Sequence, residues 1–233
     1  MQKCMASWER FLPDYELKLW NEDSFDVASN LYAKQAYEAH KWAFVTDYVR
    51  LYALYEFGGI YMDTDVEVLK KLDAFLDHSA FSGFDNDLHI PTGIMGAERN
   101  QPWIKRLLDY YTNKPFIKSD ATLDLTTNCM TITKISSQEF GFEPGGCLQT
   151  LRSGVVIYPK DYFCPKSWKT KELILTPNTH TIHHFDGSWK SRKKSARIMM
   201  NLYGFLNKMG IGRGLKRFLS KVGVISKLQR LFK

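Results

Sequence analysis

The sequence predicts one mixed α/β domain followed by a basic helical segment. Its 233 residues suffice for one domain with a sizeable core, and 44% of them are hydrophobic. Residues 46–65 are apolar at helical spacing, stop at two glycines, continue as a short buried strand and end in two aspartates. Helical and strand-like segments alternate from there to residue 184, which is typical of a sheet covered by helices.

The remaining elements follow from apolar periodicity and from turn and cap residues. Residues 2–11 form a predicted amphipathic helix that Pro13 ends, and residues 15–20 alternate apolar and polar side chains as a strand does. Further helices are predicted at 28–39, 41–57, 72–76, 101–112 (with Pro102 at its start) and 122–135. Further strands are predicted at 60–62, 66–69, 80–84, 92–96, 155–158, 173–175 and 181–184.

The predicted ligand site is the acidic turn that follows the strand at 60–62. Gly58 and Gly59 come directly after the last helical residue, where a left-handed cap costs least. Open α/β sheets bind ligands beyond the carboxyl ends of their strands, and Asp63 and Asp65 stand at such an end. Two carboxylates one residue apart on a turning chain can both reach one hard cation.

Charge is distributed unevenly along the chain. The formal net charge is +7, yet residues 187–233 contain 13 Lys and Arg and no Asp or Glu. Residues 1–186 therefore carry 19 basic against 25 acidic side chains. A nucleic-acid binder would show basic residues across its binding face, so an acidic body argues against that class.

Cysteine use and apolar runs indicate the compartment. Cys4, Cys129, Cys147 and Cys164 are scattered without a C-x-x-C pair, and reduced thiols are favoured over disulfides. The N-terminus has no apolar signal segment. Since no apolar run approaches the ~20 residues of a membrane span, the expected location is cytoplasmic, or peripheral on the inner face of the cytoplasmic membrane.

The stretch at 46–65 resembles the signature of the D-x-D sugar-binding glycosyltransferases. More narrowly, it resembles the bacterial capsular polysaccharide and lipopolysaccharide branch of the family that contains the yeast initiating mannosyltransferase, and the clostridial glucosylating toxins share its core pattern. The resemblance covers most of residues 4–190. The residues that carry it are Asp47, Arg50, Gly58, Gly59, Tyr61, Asp63, Thr64 and Asp65.

The resemblance implies a GT-A-like nucleotide-sugar transferase domain over residues 1–195, with a mixed central sheet. Members of the family usually open with a strand and a glycine-containing turn that line the nucleotide base. This chain begins within the equivalent of their first helix, so the domain is expected to lack that strand. Either the true start lies upstream of Met1, which is favoured, or the chain is a fragment with an incomplete base pocket.

The resemblance also implies a metal-dependent, retaining transfer of sugar from a UDP- or GDP-linked donor. Asp65 is expected to hold Mn²⁺ or Mg²⁺ directly, and Asp63 to contact ribose and sugar hydroxyls and to reach the metal through water. Asp47 would accept hydrogen bonds from donor hydroxyls, and Arg50 would stabilise charge in the transition state. The plainer interpretation of this last pair is a helix ion pair of roughly 0.2–0.5 kcal/mol. Gly59 and Tyr61 are expected to line the donor site.

A second group of candidate residues lies at 183–189. A histidine followed three residues later by glycine resembles the closing motif of related retaining transferases, in which the histidine completes the metal site. His184 is the preferred ligand and His183 the alternative; an imidazole would favour Mn²⁺. Ser188 and Trp189 are expected to contact the donor, with Trp189 covering its diphosphate. The competing interpretation is a strand end with ordinary core aromatics.

Residues 196–233 carry apolar positions at helical spacing with Lys and Arg opposite them. Such a tail is predicted to bind an anionic membrane surface, which would suit a glycan or lipid-linked acceptor in surface polysaccharide synthesis. It could instead pack on the domain.

Other function classes stay open. The chain could be an inactive remnant or a membrane-surface protein that binds a structural cation. A haloacid-dehalogenase phosphatase also places D-x-D after a strand, with the first aspartate as nucleophile, but that strand begins the fold.

Overall fold

The computed structural model describes residues 2–186. Ser188, Trp189 and the predicted tail at 196–233 lie outside these residues. The helices are α1 (Gln2–Phe11), α2 (Leu31–Glu38), α3 (Trp42–Phe57), α4 (Pro102–Asp109), α5 (Asn128–Ile135) and α6 (Lys160–Phe163). The strands are β1 (Gly59–Met62), β2 (Val66–Val68), β3 (Ala80–Gly83), β4 (Ile94–Ala97), β5 (Gln149–Thr150), β6 (Val155–Tyr158) and β7 (Thr181–His183).

The described chain is organised around a five-stranded sheet in the order β1-β4-β3-β6-β5. Strands β3 and β6 run parallel, whereas the other three neighbouring pairs are antiparallel. Strands β2 and β7 form a separate antiparallel pair. The sequence-based prediction of a mixed α/β fold with a mixed sheet is therefore confirmed.

Hydrophobic side chains cover both faces of the sheet. Ala80 and Met95 belong to a core with residues of α2, α3, α4 and α5. Their neighbours Phe81 and Ile94 belong to a second core with Phe163 and residues that flank α1. Because successive residues of a strand point to opposite faces, this alternation places the sheet between two layers.

Helix α3 leads into the sheet through a glycine stop. It is buried on more than one side, as its sequence predicts. Gly58 ends it with φ 70° and ψ −164°, a conformation almost confined to glycine and more extended than the left-handed cap expected. A Cβ on Gly58 would lie 2.8 Å from the backbone nitrogen of Arg99, so the position also lacks room for a side chain.

Three of the predicted elements depart clearly from the structure. Residues 15–20 form no strand, and Leu17 and Leu19 are exposed, so the alternation there has no partner strand among residues 2–186. Residues 173–175 form one isolated bridge, between Lys166 and Leu173, instead of a strand. The helix predicted from residue 122 begins only at Asn128, because Asp124 pairs its backbone with Phe116.

All four cysteines are free thiols. Among residues 2–186, no helix combines the length and the apolar character needed to cross a bilayer.

Candidate active site

The acidic turn connects the two sheets. It begins where β1 ends, and the backbone N–H of Asp63 donates to the carbonyl of Gly93 at 2.8 Å. The N–H of Val66 donates back to the carbonyl of Asp63 at 2.9 Å and closes the turn. Strand β2 then pairs with β7 so that Val66 lies opposite His183. This register brings a histidine from the end of the described chain to the two aspartates.

Asp63, Asp65 and His183 form a candidate metal site. One ligand atom from each of the three lies within 4.8 Å of the others. Nε2 of His183 is 3.2 Å from Oδ1 of Asp65 and 3.8 Å from Oδ2 of Asp63. Burial alone would raise the pKa of Asp65, but the hydrogen bond and charge of His183 and the N–H of Asp186 lower it to about 2. Asp65 is therefore ionised at neutral pH.

These residues fit a divalent cation. Neighbouring ligand atoms of an octahedral Mg²⁺ site are about 3 Å apart, close to the 3.2 Å between Nε2 of His183 and Oδ1 of Asp65. Two carboxylates with one imidazole suit Mn²⁺ as well. The other ring nitrogen of His183, Nδ1, is buried and lacks a hydrogen-bond partner among residues 2–186, so Nε2 is the nitrogen that faces the carboxylates. A cation at this point could take one ligand atom from each of the three side chains.

The structure brings His183, and not the preferred His184, to the aspartates. Nε2 of His184 points to Oε2 of Glu67 at 2.8 Å, on the other side of the strand end. The backbone N–H of His184 donates to the carbonyl of Asp65 at 3.0 Å. Glu67 is largely buried and also pairs with Lys3. His184 therefore holds the strand end against the acidic turn, while the alternative ligand, His183, faces the site.

A buried chain of charges extends from α3 to the acidic turn. Nη2 of Arg50 lies 3.3 Å from Oδ1 of Asp47, and its Nη1 lies 3.4 Å from Oδ1 of Asp63. Nη1 also donates to the carbonyl of Thr92 at 2.6 Å. The guanidinium lies 4.8 Å from the ring centre of Tyr61, whose hydroxyl donates to Oδ1 of Asp63 at 2.8 Å. Four of the predicted site residues are thus in one connected network.

Burial sets the protonation of this network. It raises the pKa of Asp47 to about 7, although the charge of Arg50 acts in the opposite direction. Burial alone would lower the pKa of Arg50, but the negative charges of Asp63 and Asp47 outweigh it and raise that pKa. The pair is more than a surface ion pair, since both side chains are almost fully buried.

Gly59 is not part of this cluster. It opens β1, whereas Asp63 follows the last residue of that strand, about 13 Å away at the usual rise per residue. Its positive φ of 95° shows that it serves the chain turn after α3. The predicted contact of Gly59 with the donor is therefore not supported by its position, and Ser188 and Trp189 lie outside the described residues.

Two residues that matter here were not predicted from the sequence. Gly93 lets the ring of His183 pack against the backbone, since a Cβ there would lie 2.5 Å from Nδ1. A glycine within a predicted strand often marks such a close approach, so the sequence contained a signal that could have identified Gly93. Glu67 offered no signal, because its partner His184 is 117 positions away in sequence.

Comparison with known proteins points to the same class of site. Residues 1–82 match the family described as "Glycosyltransferase sugar-binding region containing DXD motif". This match covers about a third of the chain and includes Asp47, Arg50, Asp63 and Asp65. The resemblance to the D-x-D glycosyltransferases is thereby confirmed for this region.

Two curated yeast proteins are similar to part of the chain. Inositol phosphoceramide mannosyltransferase 3 of Schizosaccharomyces pombe is 29% identical over 100 residues, which are 41% of this chain and 28% of that protein. Mannosyl phosphorylinositol ceramide synthase SUR1 of Saccharomyces cerevisiae is 27% identical over 111 residues, 46% of this chain and 28% of that protein. The matched region thus spans little more than a quarter of either relative. No solved structure gives a significant match. Kinship with the bacterial branch and with the toxins stays a prediction.

Proposed function

We propose that the protein is a metal-dependent glycosyltransferase that moves a sugar from a nucleotide-sugar donor to a glycan or lipid-linked acceptor. The observation that carries the proposal is the convergence of Asp63, Asp65 and His183 within 4.8 Å. Two of these residues lie in the region that matches the D-x-D family. The mixed sheet, with the acidic turn at the end of β1, agrees with a GT-A-like fold.

The three candidate metal ligands and the Asp47–Arg50 pair have separate roles in this proposal. Asp65, Asp63 and His183 hold Mn²⁺ or Mg²⁺. A divalent cation bound there supplies Lewis-acid stabilisation of the leaving diphosphate. Arg50, fixed by Asp47 and by the carbonyl of Thr92, orients Asp63 and adds positive charge beside the diphosphate. The guanidinium is preorganised, since Thr46, Asp47, Asp63 and Thr92 hold it before any substrate binds.

The reaction proceeds with retention at the anomeric carbon, as the family resemblance implies. The acceptor oxygen attacks from the face that the diphosphate leaves. The bond from the anomeric carbon to the phosphate oxygen breaks, and the departing phosphate takes the proton of the acceptor hydroxyl. This route requires no carboxylate nucleophile on the opposite face of the sugar.

The names of the two yeast relatives support a choice of donor and acceptor class. Both yeast proteins are named for mannosyl transfer to inositol phosphoceramide or for synthesis of the mannosylated product. UDP- or GDP-linked mannose is therefore the preferred donor, and a phospholipid-like acceptor is preferred over a free sugar. Surface polysaccharide synthesis at the inner face of the cytoplasmic membrane is the proposed setting.

The test is donor cleavage by the full chain. Release of nucleoside diphosphate from UDP- and GDP-linked sugars is measured with and without Mn²⁺, for the wild type and for Asp65→Ala. A matched control is Asp14→Ala, which removes an exposed carboxylate whose only ion pair within residues 2–186 is a loose contact with Lys71 at 3.8 Å. We expect Mn²⁺-dependent release that Asp65→Ala abolishes and Asp14→Ala retains. Full activity in Asp65→Ala would refute the assignment. Mn²⁺ binding without cleavage of any donor would favour the cation-binding alternative.

A further inference from the structure

The described chain has an apolar arm, which we define as residues 165–175 and which is exposed from Trp168 to Leu175. Leu173, Ile174 and Leu175 are 44%, 59% and 55% exposed, and Trp168 is 44% exposed. Within residues 2–186, no other three consecutive large apolar residues are exposed. Runs of exposed apolar side chains are rare on soluble proteins unless the surface binds something.

The arm has a defined backbone. The N–H of Ser167 donates to the carbonyl of Glu172 at 2.8 Å, and the N–H of Ile174 donates to that of Pro165 at 3.2 Å. Lys166 pairs with Leu173 as an antiparallel bridge. Consecutive residues of an extended chain point to opposite sides. Since three consecutive residues are exposed, both sides of the arm are open.

Basic residues are interleaved with this apolar surface. Lys166, Lys169 and Lys171 lie on the arm against one acidic residue, Glu172. Nζ of Lys169 lies 5.3 Å from the ring centre of Trp168. Tryptophan prefers the boundary between headgroups and acyl chains, and lysine can bury its stem there with the charge in water. This combination complements an anionic bilayer, whereas a soluble phosphate would have no use for three exposed aliphatic side chains.

The arm borders the candidate active site. Nζ of Lys171 donates to the carbonyl of Phe185 at 3.3 Å, and Nζ of Lys166 lies 3.5 Å from Nδ1 of His184. The ring of Phe185 packs at 4.1 Å from that of His183. A surface that receives the arm would therefore lie next to the strand end that carries His183.

We propose that residues 165–175 dock on an anionic lipid bilayer, with Trp168 and Leu173, Ile174 and Leu175 entering the interface and Lys169 facing headgroups. Docking would hold the candidate site at the membrane surface, where a lipid-linked acceptor resides. The proposal concerns the folded domain and is separate from the expected membrane binding of residues 196–233. It does not depend on glycosyl transfer, so vesicle binding and donor cleavage can fail independently.

The first experiment measures partition of the full chain onto phosphatidylcholine vesicles with and without phosphatidylglycerol. We expect Lys169→Gln to weaken binding to the anionic vesicles about fivefold, which corresponds to ~1 kcal/mol for one basic residue. The triple variant Leu173→Ser, Ile174→Ser, Leu175→Ser is expected to weaken it at least about tenfold, since each side chain loses apolar burial. The matched control is Leu17→Ser with Leu19→Ser, two exposed leucines that flank Lys18 elsewhere, which should bind as the wild type does.

The second experiment locates the arm in the bilayer. Brominated acyl chains should quench part of the tryptophan fluorescence of the bound wild type, and Trp168→Phe should remove that part. Wild-type partition of the triple variant, or quenching that Trp168→Phe leaves unchanged, would overturn the proposal and assign the binding to other residues. A triple variant that melts at lower temperature but partitions normally would also overturn it, because the arm would then be covered by another part of this chain.

Discussion

Replacing Gly93 with alanine is expected to impair the candidate metal site without unfolding the protein. The new Cβ would lie 2.5 Å from Nδ1 and 2.7 Å from Cε1 of His183, whereas ordinary contacts begin at 3.4 Å. The imidazole must therefore move by roughly 0.9 Å, more than the ~0.5 Å that a functional site tolerates. Gly93 has no positive φ, so alanine suits its backbone.

The magnitude follows from the role of His183 as one of three ligands. Displacement of a ligand by this amount should weaken Mn²⁺ binding by about 10- to 100-fold, comparable to the loss of a group that orients a ligand. This corresponds to ~1.4–2.8 kcal/mol. Isothermal titration of the full chain with Mn²⁺ measures the affinity, and thermal melting without metal checks the fold.

A matched glycine controls for loss of stability. Gly141 has φ 82° and open space around the position of a Cβ. Gly141→Ala should therefore lower the free energy of unfolding by about 1–2 kcal/mol through backbone strain alone, with Mn²⁺ affinity unchanged. A folded Gly93→Ala variant that binds Mn²⁺ as tightly as the wild type would refute the assignment of His183 as a ligand.

Three further predictions concern the residues that support the site. Burial raises the pKa of Asp47 to about 7 from its ordinary 3.8, so the folded state binds the extra proton between these values. Relative to Asp47→Asn, the wild type should therefore lose unfolding free energy, on the order of 1 kcal/mol per pH unit, as pH rises from about 4 to about 7. Urea denaturation at several pH values measures this loss, and parallel profiles for the two proteins would contradict it. Arg50→Met leaves the Asp47 carboxylate buried and unpaired, which should lower the free energy of unfolding by about 3–5 kcal/mol at pH 8 and by less at pH 5. Equal losses at the two pH values would contradict this prediction. Glu67→Ala should release His184 and weaken Mn²⁺ binding by about tenfold in titration calorimetry, whereas unchanged affinity would show that Glu67 does not position the strand end.

The part of the site that is close in sequence was predictable, because the helix, the glycine stop, the strand and the acidic turn follow one another within residues 46–65. Their side chains meet because α3 packs directly against β1, which lets Arg50 reach Asp63. Apolar periodicity and turn chemistry placed Asp63 and Asp65 at the end of a strand, whereas the family resemblance added Asp47, Arg50 and Tyr61 to the site.

Contacts between distant segments were not predictable in the same way. The choice between His183 and His184 depends on the register of β2 against β7, and a slip of one residue would exchange them. No local pattern encodes that register. The alternation at 15–20 was misleading for a related reason, since a strand requires a partner and none is supplied there.

The most direct test of the central claim is an anomalous difference map from crystals of the full chain soaked with Mn²⁺ and a sugar nucleotide. The proposed function predicts a manganese peak within ligand distance of Asp63, Asp65 and His183, with the donor diphosphate on its open side. A map with no peak there, and with both carboxylates turned to solvent while the nucleotide is bound elsewhere, would contradict it.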